Sequence, residues 1–420
     1  MSEGDGPGKM SAKRIAVAIC VIILIASLLA YVIYDAMQAD VLSSYEAPAP
    51  TILAFSEDYW HGEYVFNLVE NHPTEGWLDA FFLVMTADGQ YRYEQKGPVF
   101  YDYIYQVGPD EFFTVLNPRK KPEYRREVGL INVATNETNK ILDQYALSGH
   151  RELLIEDGYF VTLGRAEVYW DTIEHINGST GNRTTFWNPK PYYPEDPCVY
   201  CEERSWLHGN DVSISFDGQH YLVNMRNADN IVKVHRETGD VAWICGRNGN
   251  FTLYDELGTE RSSLWYHSHV IKEIRPNVFL MFDNDLHNLG HAWTYPLWES
   301  IWASNYGGQS RLIEFTVFEE NMTAYITWTY QPSSEYYCGN FGDVDILPNG
   351  NILGTFGTGV HRWTMTGEVI EEPFGASLHE VNRETGVVRI YKFPIGFCIY
   401  RTQQVSEDPA DFVDISWIRE

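Results

Sequence analysis

The chain has 420 residues, with 58 acidic and 30 basic side chains, a formal net charge of −28, and 15% aromatic residues. A chain this long and this aromatic can bury a large core, which excludes an intrinsically disordered polymer. Nucleic-acid binding requires clusters of Lys and Arg that displace counterions from phosphates, and the sequence has no such cluster. The composition therefore indicates a folded, acidic protein that has no nucleic-acid partner.

An uncharged apolar segment lies close to the N-terminus, at residues 15–34 (IAVAICVIILIASLLAYVIY). At about 1.5 Å per residue it can cross a bilayer core of about 30 Å, so it predicts one transmembrane helix. Lys13 and Arg14 precede it and Asp35 follows it, which predicts a short cytoplasmic tail at residues 1–14 and an exported remainder. A cleaved signal peptide is the alternative, but the segment is longer than a typical signal h-region and ends without a small-residue cleavage site.

The exported part begins with a predicted stalk at residues 35–50 (DAMQADVLSSYEAPAP), and residues 51–420 form the predicted ectodomain. Five Asn-x-Ser/Thr sequons agree with a location outside the cell membrane, because this sequence is the acceptor for N-linked glycans. The predicted glycosylation sites are Asn136, Asn177, Asn182, Asn250 and Asn321.

The ectodomain shows almost no helical periodicity. Short runs rich in Val, Ile, Tyr, Phe and Trp alternate with Gly, Asn and Asp, which is typical of β-strands joined by tight turns. Three turn dipeptides flanked by alternating apolar residues predict β-hairpins. These dipeptides are Asp88-Gly89, Asp217-Gly218 and Asn349-Gly350.

A strand-turn-strand unit repeats along the chain. IVKVHRETGDVAW at 231–243 is echoed by LHEVNRETGVVRIY at 378–391, and more faintly at 130–145 and 312–328. Repeated hairpins predict an all-β fold, a β-propeller of four-stranded blades, and about 370 residues suit six to eight blades. Two tandem β-sandwiches are the alternative, but no linker divides the chain. The most irregular stretch, 175–204, is expected to be a long inserted loop.

Polar motifs occur at the edges of several predicted hairpins. In a propeller such edges face the central channel, where His, Arg and Asn side chains can meet a ligand. The motifs in chain order are His208-Gly-Asn210, Asn224-Met-Arg226, Thr238-Gly239 with Trp243, His269, Phe282-Asp283-Asn284, Ser310-Arg311, and Gly342-Asp343-Val344 with Leu347-Pro-Asn-Gly-Asn351.

This order of motifs resembles that of the arylsulfotransferase family, whose bacterial-type enzymes are six-bladed propellers, and the resemblance covers about residues 200–400. It implies transfer of a sulfuryl group from an aryl sulfate to a phenol through a transiently sulfated histidine, with no nucleotide donor and no cofactor. The residue types suit that chemistry. A neutral imidazole can attack sulfur while Arg and a second His stabilise the charge that develops on the sulfuryl oxygens.

The resemblance also assigns roles to individual residues. By motif position, His208 and His269 match two active-site histidines of the family, and Arg311 matches its arginine. The third histidine has no counterpart in the LPNGN hairpin, so His361, in GVHRW just after it, is a positional candidate. Three more motif side chains are expected to bind substrate: Asn210, Arg226 and Asn284.

Other uses of these residues are open at the level of sequence. His267 and His269 alternate by two, so both lie on one strand face and could ligate a metal. Asp283 and Asp285 could bind calcium, but the loop lacks the Gly and Glu of a calcium loop. No carboxylate or third His is fixed near the histidine pair, and a turn is the favoured interpretation of the aspartate segment, so the sequence predicts no metal.

A non-catalytic surface propeller is the alternative function. Its binding face would serve a glycan or a cell-envelope protein, and the missing third histidine, the single anchor and the sequons favour it. Propellers serve binding as readily as catalysis, so the fold alone does not decide between the two functions. What distinguishes them is whether the predicted side chains converge on one place in the channel.

Overall fold

The structure is a computed structural model, and it describes eleven segments of the chain. Contacts divide the chain into residues 1–47 and residues 48–420, and all described strands belong to the second unit. The predicted membrane segment at 15–34 lies outside the described residues, and no described helix is long and apolar enough to cross a membrane. The described residues are 46–72, 76–97, 103–116, 127–142, 153–156, 158–165, 171–193, 207–285, 309–339, 341–357 and 375–418.

Six β-sheets form the second unit, and each is one blade of a propeller. Neighbouring strands within the first three blades are antiparallel. The strands are β2 (Glu63–His72), β3 (Gly76–Thr86), β4 (Tyr91–Gly97) and β27 (Phe397–Val405) in blade 1; β5 (Ile104–Gly108), β6 (Glu111–Leu116), β7 (Glu127–Asn132) and β8 (Glu137–Leu142) in blade 2; and β9 (Leu153–Glu156), β10 (Tyr159–Arg165), β11 (Asp171–Asn177) and β12 (Arg183–Trp187) in blade 3.

Blades 4 to 6 follow the same plan, with extra strands at two outer edges. Blade 5 gains a two-stranded extension through a parallel pairing of β17 with β22. The strands are β13 (Gly209–Ile214), β14 (His220–Met225), β15 (Asn230–His235) and β16 (Val241–Gly246) in blade 4; β17 (Thr252–Tyr254), β18 (Glu260–Arg261), β19 (Ile271–Arg275), β20 (Val278–Asp283), β21 (Arg311–Phe318) and β22 (Thr323–Tyr330) in blade 5; and β23 (Asp343–Ile346), β24 (Ile352–Phe356), β25 (Ser377–Asn382), β26 (Gly386–Lys392) and β1 (Thr51–Ala54) in blade 6.

The prediction of an all-β, six-bladed propeller is confirmed. The described part of the chain also has four short 3₁₀ helices, at Arg226–Ala228, Ser334–Tyr336, Pro409–Asp411 and Ser416–Ile418.

Both ends of the second unit close the ring. The C-terminal strand β27 pairs with β2 and becomes the inner strand of blade 1. At the other end, β1 pairs with β26 and becomes the outermost strand of blade 6. Each of these two blades therefore combines strands from both ends of the chain, so the circle cannot open without breaking strand pairs.

The predicted hairpin turns are present. Gly218 joins β13 to β14 and Gly350 joins β23 to β24, with φ of +72° and +84°. Glycine adopts this left-handed conformation without the steric cost that a Cβ imposes. Gly89 turns the chain between β3 and β4 in the same way. The four copies of the repeated unit are outer hairpins of blades 2, 4, 5 and 6.

One expectation about the fold is wrong. The stretch 175–204 was expected to be an inserted loop, but its first part completes β11 and then forms β12, the outer strand of blade 3. Most side chains of β12 are exposed. An outer strand that faces solvent has no need of apolar alternation, so its polar composition resembles that of a loop.

The hydrophobic core lies between adjacent blades. Apolar clusters fill the interfaces between blades 1 and 2, 2 and 3, 3 and 4, 4 and 5, and 5 and 6. Because each sheet is covered on both faces, central strands such as β20 (VFLMFD) are almost continuously apolar. Trp265, fully buried between blades 4 and 5, is one of the largest of these side chains.

The inner strands β27, β5, β9, β13, β19 and β23 surround the channel. Arg401 on β27 donates to Asp211 on β13 over 3.0 Å, although blades 1 and 4 face each other across a six-membered ring. Lys272 on β19 pairs with Asp345 on β23, also at 3.0 Å. Charged side chains therefore fill the middle of the channel and form a floor beneath one of its ends.

Ring closure predicts an uneven response to two chemically identical substitutions. Ile399 in β27 is fully buried, whereas Ile395, just before this strand, is 53% exposed. We expect Ile399→Ala to lower the free energy of unfolding by about 2–5 kcal/mol, because it leaves a cavity in the closing blade. Ile395→Ala should change it by less than about 0.5 kcal/mol. Denaturant titration of the full chain in detergent measures both, and equal losses would contradict this account of closure.

Candidate functional site

The candidate site lies at the end of the propeller where the inner strands begin. His208 directly precedes β13, and His269 lies two residues before β19. The turn at 226–229 joins β14 to β15, and residues 284–285 follow β20, so both reach the same end. Antiparallel order within a blade puts these strand ends together, so residues distant in sequence meet at the channel mouth.

His269 is held on both sides of its ring. Its Nδ1 lies 2.6 Å from Asn284 Oδ1, and its Nε2 accepts the backbone N–H of Phe341 over 3.1 Å. Asn284 Nδ2 donates to the carbonyls of Cys338 and Phe341, which orients its oxygen toward the histidine. The ring is therefore the tautomer protonated at Nδ1.

His269 is also held neutral. Burial lowers its pKa to about 3, and the positive charges of Arg226 and Arg401 act in the same direction. Burial penalises the charged imidazolium, and two nearby cations add to that penalty. At neutral pH the side chain is an uncharged imidazole whose two nitrogens are both hydrogen-bonded.

A buried amide network fixes the main chain beside His269. Asn224 Nδ2 donates to Asn210 Oδ1 and to the carbonyls of Ser268 and His269, and Asn210 Nδ2 also donates to the Ser268 carbonyl. The Ser268 hydroxyl donates back to Asn224 Oδ1. In this structure Asn210 therefore couples blade 4 to the segment that carries His269.

Arg226 is a buried cation at the channel mouth. Its side chain is 9% exposed, and its Nη1 donates to Asn227 Oδ1 over 3.0 Å. Burial lowers its pKa to about 10, so it remains charged at neutral pH. No carboxylate of the described residues lies within ion-pair distance of this guanidinium, although the charge of Asp229 acts on it. Arg226 N donates to the His208 carbonyl over 3.3 Å, which puts the two residues side by side.

A carboxylate and an imidazole face each other next to Arg226. Asp229 is fully buried; its Oδ1 accepts the backbone N–H of His267 over 2.7 Å and lies 3.5 Å from His267 Nδ1. Its Oδ2 pairs with Arg247 Nη2 at 2.5 Å. A carboxylate in this position can orient a histidine ring and stabilise its protonated form, as acid–base pairs do in many enzymes.

Arg311 forms an ion pair with Asp283. Its Nε donates to Asp283 Oδ2 over 3.0 Å, and its Nη2 donates to the Leu264 carbonyl over 2.8 Å. Asp283 Oδ1 in turn accepts the backbone N–H groups of Tyr266 and Asp285. Arg311 thus supports the carboxylate that organises the two chain segments of blade 5.

Backbone strain is concentrated at this end of the channel. Non-glycine residues rarely adopt positive φ, because the Cβ then crowds the backbone. Such strain is typical of functional sites, where the surrounding structure imposes it. The strained residues at the mouth, with φ between +50° and +68°, are His208, Asp229, His267, Asp285 and Phe341.

The structure brings most of the predicted site residues together. Each side chain belongs to blade 4 or blade 5 and lies at the same end of the channel. Arg311 lies beside them in its pair with Asp283, and His361 lies outside the described residues. The residues that meet are His208, Asn210, Arg226, His269 and Asn284.

Three residues at this end of the channel lie outside the predicted catalytic and binding set: Asp229, His267 and Tyr337. His267 was considered only as a metal ligand, and the other two belong to no motif. Asp229 lies three residues after the Asn224–Arg226 motif, and this closeness is the one indication in the sequence that Asp229 belongs to the site. Among the described residues, no group of three His, Cys, Asp or Glu side chains could hold a metal ion.

The predicted glycosylation sites lie on the surface of the propeller. All five asparagines are exposed, and each lies at a turn or at the end of a strand. Exposure is necessary for an acceptor asparagine, and their use remains a prediction. The sites are Asn136, Asn177, Asn182, Asn250 and Asn321.

Asp229 predicts a measurable pH dependence of stability. Burial raises its pKa from 3.8 to about 7, against the lowering effect of Arg247 and of the His267 N–H. A carboxyl group whose pKa is higher in the folded state contributes stability at low pH, and this is lost as pH rises from about 4 to about 7. His269 titrates in the opposite sense, because its pKa is lowered, so the test compares two proteins.

We expect the stability of wild type relative to Asp229→Asn to fall as pH rises from 4.5 to 7.5. Denaturant titrations at both pH values measure this difference. A difference that stays constant or grows with pH would contradict the buried, protonatable carboxyl group.

Comparison with known proteins bears on the family of the chain. Solved structures with some likeness include TolB from Acinetobacter baumannii, at 10% identity and a TM-score of 0.46, over 82% of this chain and 66% of TolB, just under two thirds of its length. A protein of unknown function from Bacteroides caccae matches at 11% identity and a TM-score of 0.44, over 82% of this chain and 100% of its own. Neither likeness bears on function. No curated protein matches the chain.

A family model gives the specific result. The model described as Arylsulfotransferase (ASST) matches residues 136–392, which is more than half of the chain. The match includes blades 3 to 5 in full and most of blade 6, so it contains four of the six inner strands around the channel and leaves out β5 and β27. The chain belongs to the arylsulfotransferase family.

Proposed function

We propose that this protein is an arylsulfotransferase that moves a sulfuryl group from an aryl sulfate to a phenol through a histidine of the channel mouth. Arg226 is the observation that carries the proposal. It is a charged, buried side chain that no described carboxylate pairs within ion-pair distance, next to His208 and electrostatically coupled to His269. A buried cation without a counter-ion is costly unless an anion joins it, and the sulfuryl oxygens are such an anion.

The surrounding carboxylates strengthen this assignment. Asp229 pairs with Arg247 and Asp283 pairs with Arg311, so two of the buried acids have their own arginine. Arg226 is then the cation left for a ligand. Its planar guanidinium can donate two parallel hydrogen bonds to the oxygens of a sulfate group.

The proposed chemistry has two displacement steps. A neutral imidazole nitrogen attacks sulfur, the bond between sulfur and the aryl oxygen breaks, and the phenolate leaves with the bonding electron pair. The oxygen of the acceptor phenol then attacks sulfur, the nitrogen–sulfur bond breaks, and the acceptor proton is released. Arg226 stabilises the charge on the sulfuryl oxygens in both steps.

The Asp229–His267 pair suits the proton transfers that these steps require. The departing phenolate gains a proton and the acceptor phenol loses one, so one group can serve in both directions. His267 lies 3.5 Å from the buried carboxylate, and catalytic hydrogen bonds are often long before substrate binds. We assign the proton transfer to this pair.

The same arrangement restricts what His269 can do. Its unprotonated Nε2 already accepts the N–H of Phe341, so attack by His269 would first require Phe341 to move. His208, which directly precedes β13 at the same end of the channel, is the other predicted active-site histidine among the described residues. The proposal therefore gives His269 a binding role and leaves the attack to another histidine.

The location is part of the proposal and rests on the sequence. The apolar segment at 15–34 anchors the chain in the cell membrane once, and the basic residues before it keep the N-terminus inside. The propeller then lies on the exterior side, where the exposed sequons can be glycosylated. Aryl sulfates and phenols would reach the channel directly from outside.

The direct test is covalent trapping. The full chain in detergent is exposed briefly to 4-nitrophenyl sulfate, and its peptides are mapped by mass spectrometry under conditions that preserve sulfohistidine. We expect nitrophenol release and one histidine peptide heavier by an SO₃ group, from His208 or His361. Folded protein with neither product would instead support a non-catalytic propeller that binds a glycan or an envelope protein.

Arg226→Met should reduce nitrophenol release by about 10²–10³-fold, the usual effect of removing a donor that stabilises transition-state charge. Arg92→Met is the matched control, because Arg92 pairs with Glu63 of blade 1 and Asp110 of blade 2, away from the channel mouth. Its rate should remain within about twofold of wild type. Turnover that survives Arg226→Met would overturn the role of this residue.

A further inference from the structure

A cavity of about 660 Å³ lies on blade 3, at the end of the propeller opposite the channel mouth. Its lining comes from the β9–β10 turn, the β11–β12 turn and the adjoining strand ends. Both turns lie where β9 and β11 end, whereas the mouth lies where the inner strands begin. The volume falls within the range of about 300–1,000 Å³ that is typical of small-molecule sites. The cavity shares no residue with the candidate site at the mouth.

The sheet register brings aromatic and polar side chains to one face of blade 3. Tyr159 on β10 lies opposite Asn177 on β11, and His175 on β11 lies opposite Thr184 on β12. Asn177 and His175 are two residues apart on the same strand, so they share a face of the sheet. All four residues line the cavity.

Aromatic packing holds one wall of the cavity in place. The His175 ring stacks on Phe186, with 4.5 Å between centroids and 11° between planes, and its centroid lies 4.8 Å from that of Tyr159. His175 Nε2 also lies 3.3 Å from the Tyr221 hydroxyl of blade 4. Tyr159 and His175 border the cavity, so a ligand would meet an aromatic wall that is already ordered.

The rim of the cavity is polar and exposed to solvent. Asn177 Oδ1 accepts the backbone N–H groups of Ser179 and Thr180 over 3.1 and 2.8 Å, which fixes the turn at the rim. Within the described residues, Asn182 bonds this turn through its main chain alone. Its side-chain amide is therefore available to a ligand, beside the exposed hydroxyl of Thr184.

The charge of the lining restricts the class of ligand. No lining residue is Asp, Glu, Lys or Arg, although the chain has a net charge of −28. Burial and the charge of Arg236 lower the pKa of His175, so its imidazole is uncharged at neutral pH. An anion such as an aryl sulfate would find no cation among these residues. A phenol would engage few of the polar groups, so the lining suits a neutral molecule with many hydroxyl groups.

We infer that this cavity is a binding site for a neutral pyranose ring of a saccharide. The C–H groups on a ring face would pack on the aromatic wall formed by Tyr159 and His175. The hydroxyl groups around the ring edge would hydrogen-bond to the Asn182 amide and the Thr184 hydroxyl. The inference is independent of the proposed sulfuryl transfer, because the two sites lie at opposite ends of the propeller.

Two sources present the same sugar chemistry to the cavity. Asn182 is the acceptor of a predicted sequon, Asn182-Arg183-Thr184, so a glycan attached there would begin at the rim. A saccharide on another molecule would enter the cavity from solvent. Only an attached glycan would exclude a free sugar, so competition distinguishes the two sources.

The test measures binding by the full chain from a bacterial host without N-glycosylation, in a detergent that has no sugar headgroup. Ligand-observed NMR titrations use the methyl glycosides of glucose, mannose and N-acetylglucosamine as neutral probes, and methyl glucuronide as the anionic probe. Thr184→Arg places a long side chain at the cavity. Thr185→Arg is the matched control, because Thr185 is also exposed and lies on the opposite face of β12.

We expect wild type and Thr185→Arg to bind at least one neutral glycoside with equal affinity, and Thr184→Arg to bind it about tenfold more weakly or worse. Asn182→Ala should weaken binding by about threefold to tenfold, because it removes one hydrogen bond. Methyl glucuronide should bind more weakly than methyl glucoside. The three variants replace exposed side chains, so their Tm values should match that of wild type.

Several results would overturn the inference. These are no binding of any neutral glycoside, unchanged affinity in Thr184→Arg or Asn182→Ala, equal losses in Thr184→Arg and Thr185→Arg, and a glucuronide that binds as tightly as the glucoside. None of these results bears on nitrophenol release at the channel mouth.

Protein from a yeast host identifies the source of the sugar, once peptide mass spectrometry has shown a glycan on Asn182. If this wild type no longer binds the free glycoside while Asn182→Gln from the same host does, the attached glycan fills the cavity. If both bind it as the bacterial protein does, the cavity serves a saccharide on another molecule. Either result supports the pyranose site.

Discussion

Closure of the ring is the constraint on which the rest of the structure depends. Each blade buries both of its faces against neighbouring blades, so a missing neighbour would expose a complete apolar face. Strand β27 completes blade 1 and also carries Arg401 into the channel, where it meets Asp211 of the opposite blade. The strand that closes the core thus also fixes the floor beneath the candidate site.

Above that floor, the distribution of buried charge explains why one arginine is left for a ligand. Asp229 and Asp283 are buried deeply enough that their pKa values rise to about 7 and about 6, despite the arginines beside them. Those arginines are held by their acids and by main-chain carbonyls. Arg226 differs because its guanidinium donates to the Asn227 amide and, among the described residues, has no carboxylate within ion-pair distance, although the charge of Asp229 acts on it. The proposed function assigns the balancing negative charge to the sulfuryl oxygens.

The sequence predicted the fold through local signals. Turn dipeptides such as Asp217-Gly218 predict hairpins because only a few residues adopt positive φ readily. The repeated ETG hairpins predict a propeller because its blades repeat the same pair of outer strands. The strand β12 was missed because its exposed side chains carry no apolar alternation. The candidate site was predicted in part, and from the order of motifs along the chain instead of from local signals. That order singled out His208, Arg226 and His269 as site residues.

Contacts between blades could not be predicted in this way. Nothing in the local sequence shows that Asn284 orients the ring of His269, or that Phe341 N–H occupies its second nitrogen. The Phe341 N–H lies 72 residues from His269 in sequence, and the two carbonyls that hold the Asn284 amide lie 54 and 57 residues away from it.

The strained backbone at the mouth follows from the same geometry. Five non-glycine residues there hold positive φ, each at a cost of about 1–3 kcal/mol. Buried hydrogen bonds hold several of these segments, as when Asp229 accepts the His267 N–H and His269 accepts that of Phe341. The large interfaces between blades stabilise the fold enough to tolerate this strain. The propeller is therefore a rigid support that holds a few side chains in positions which a short loop alone would not maintain.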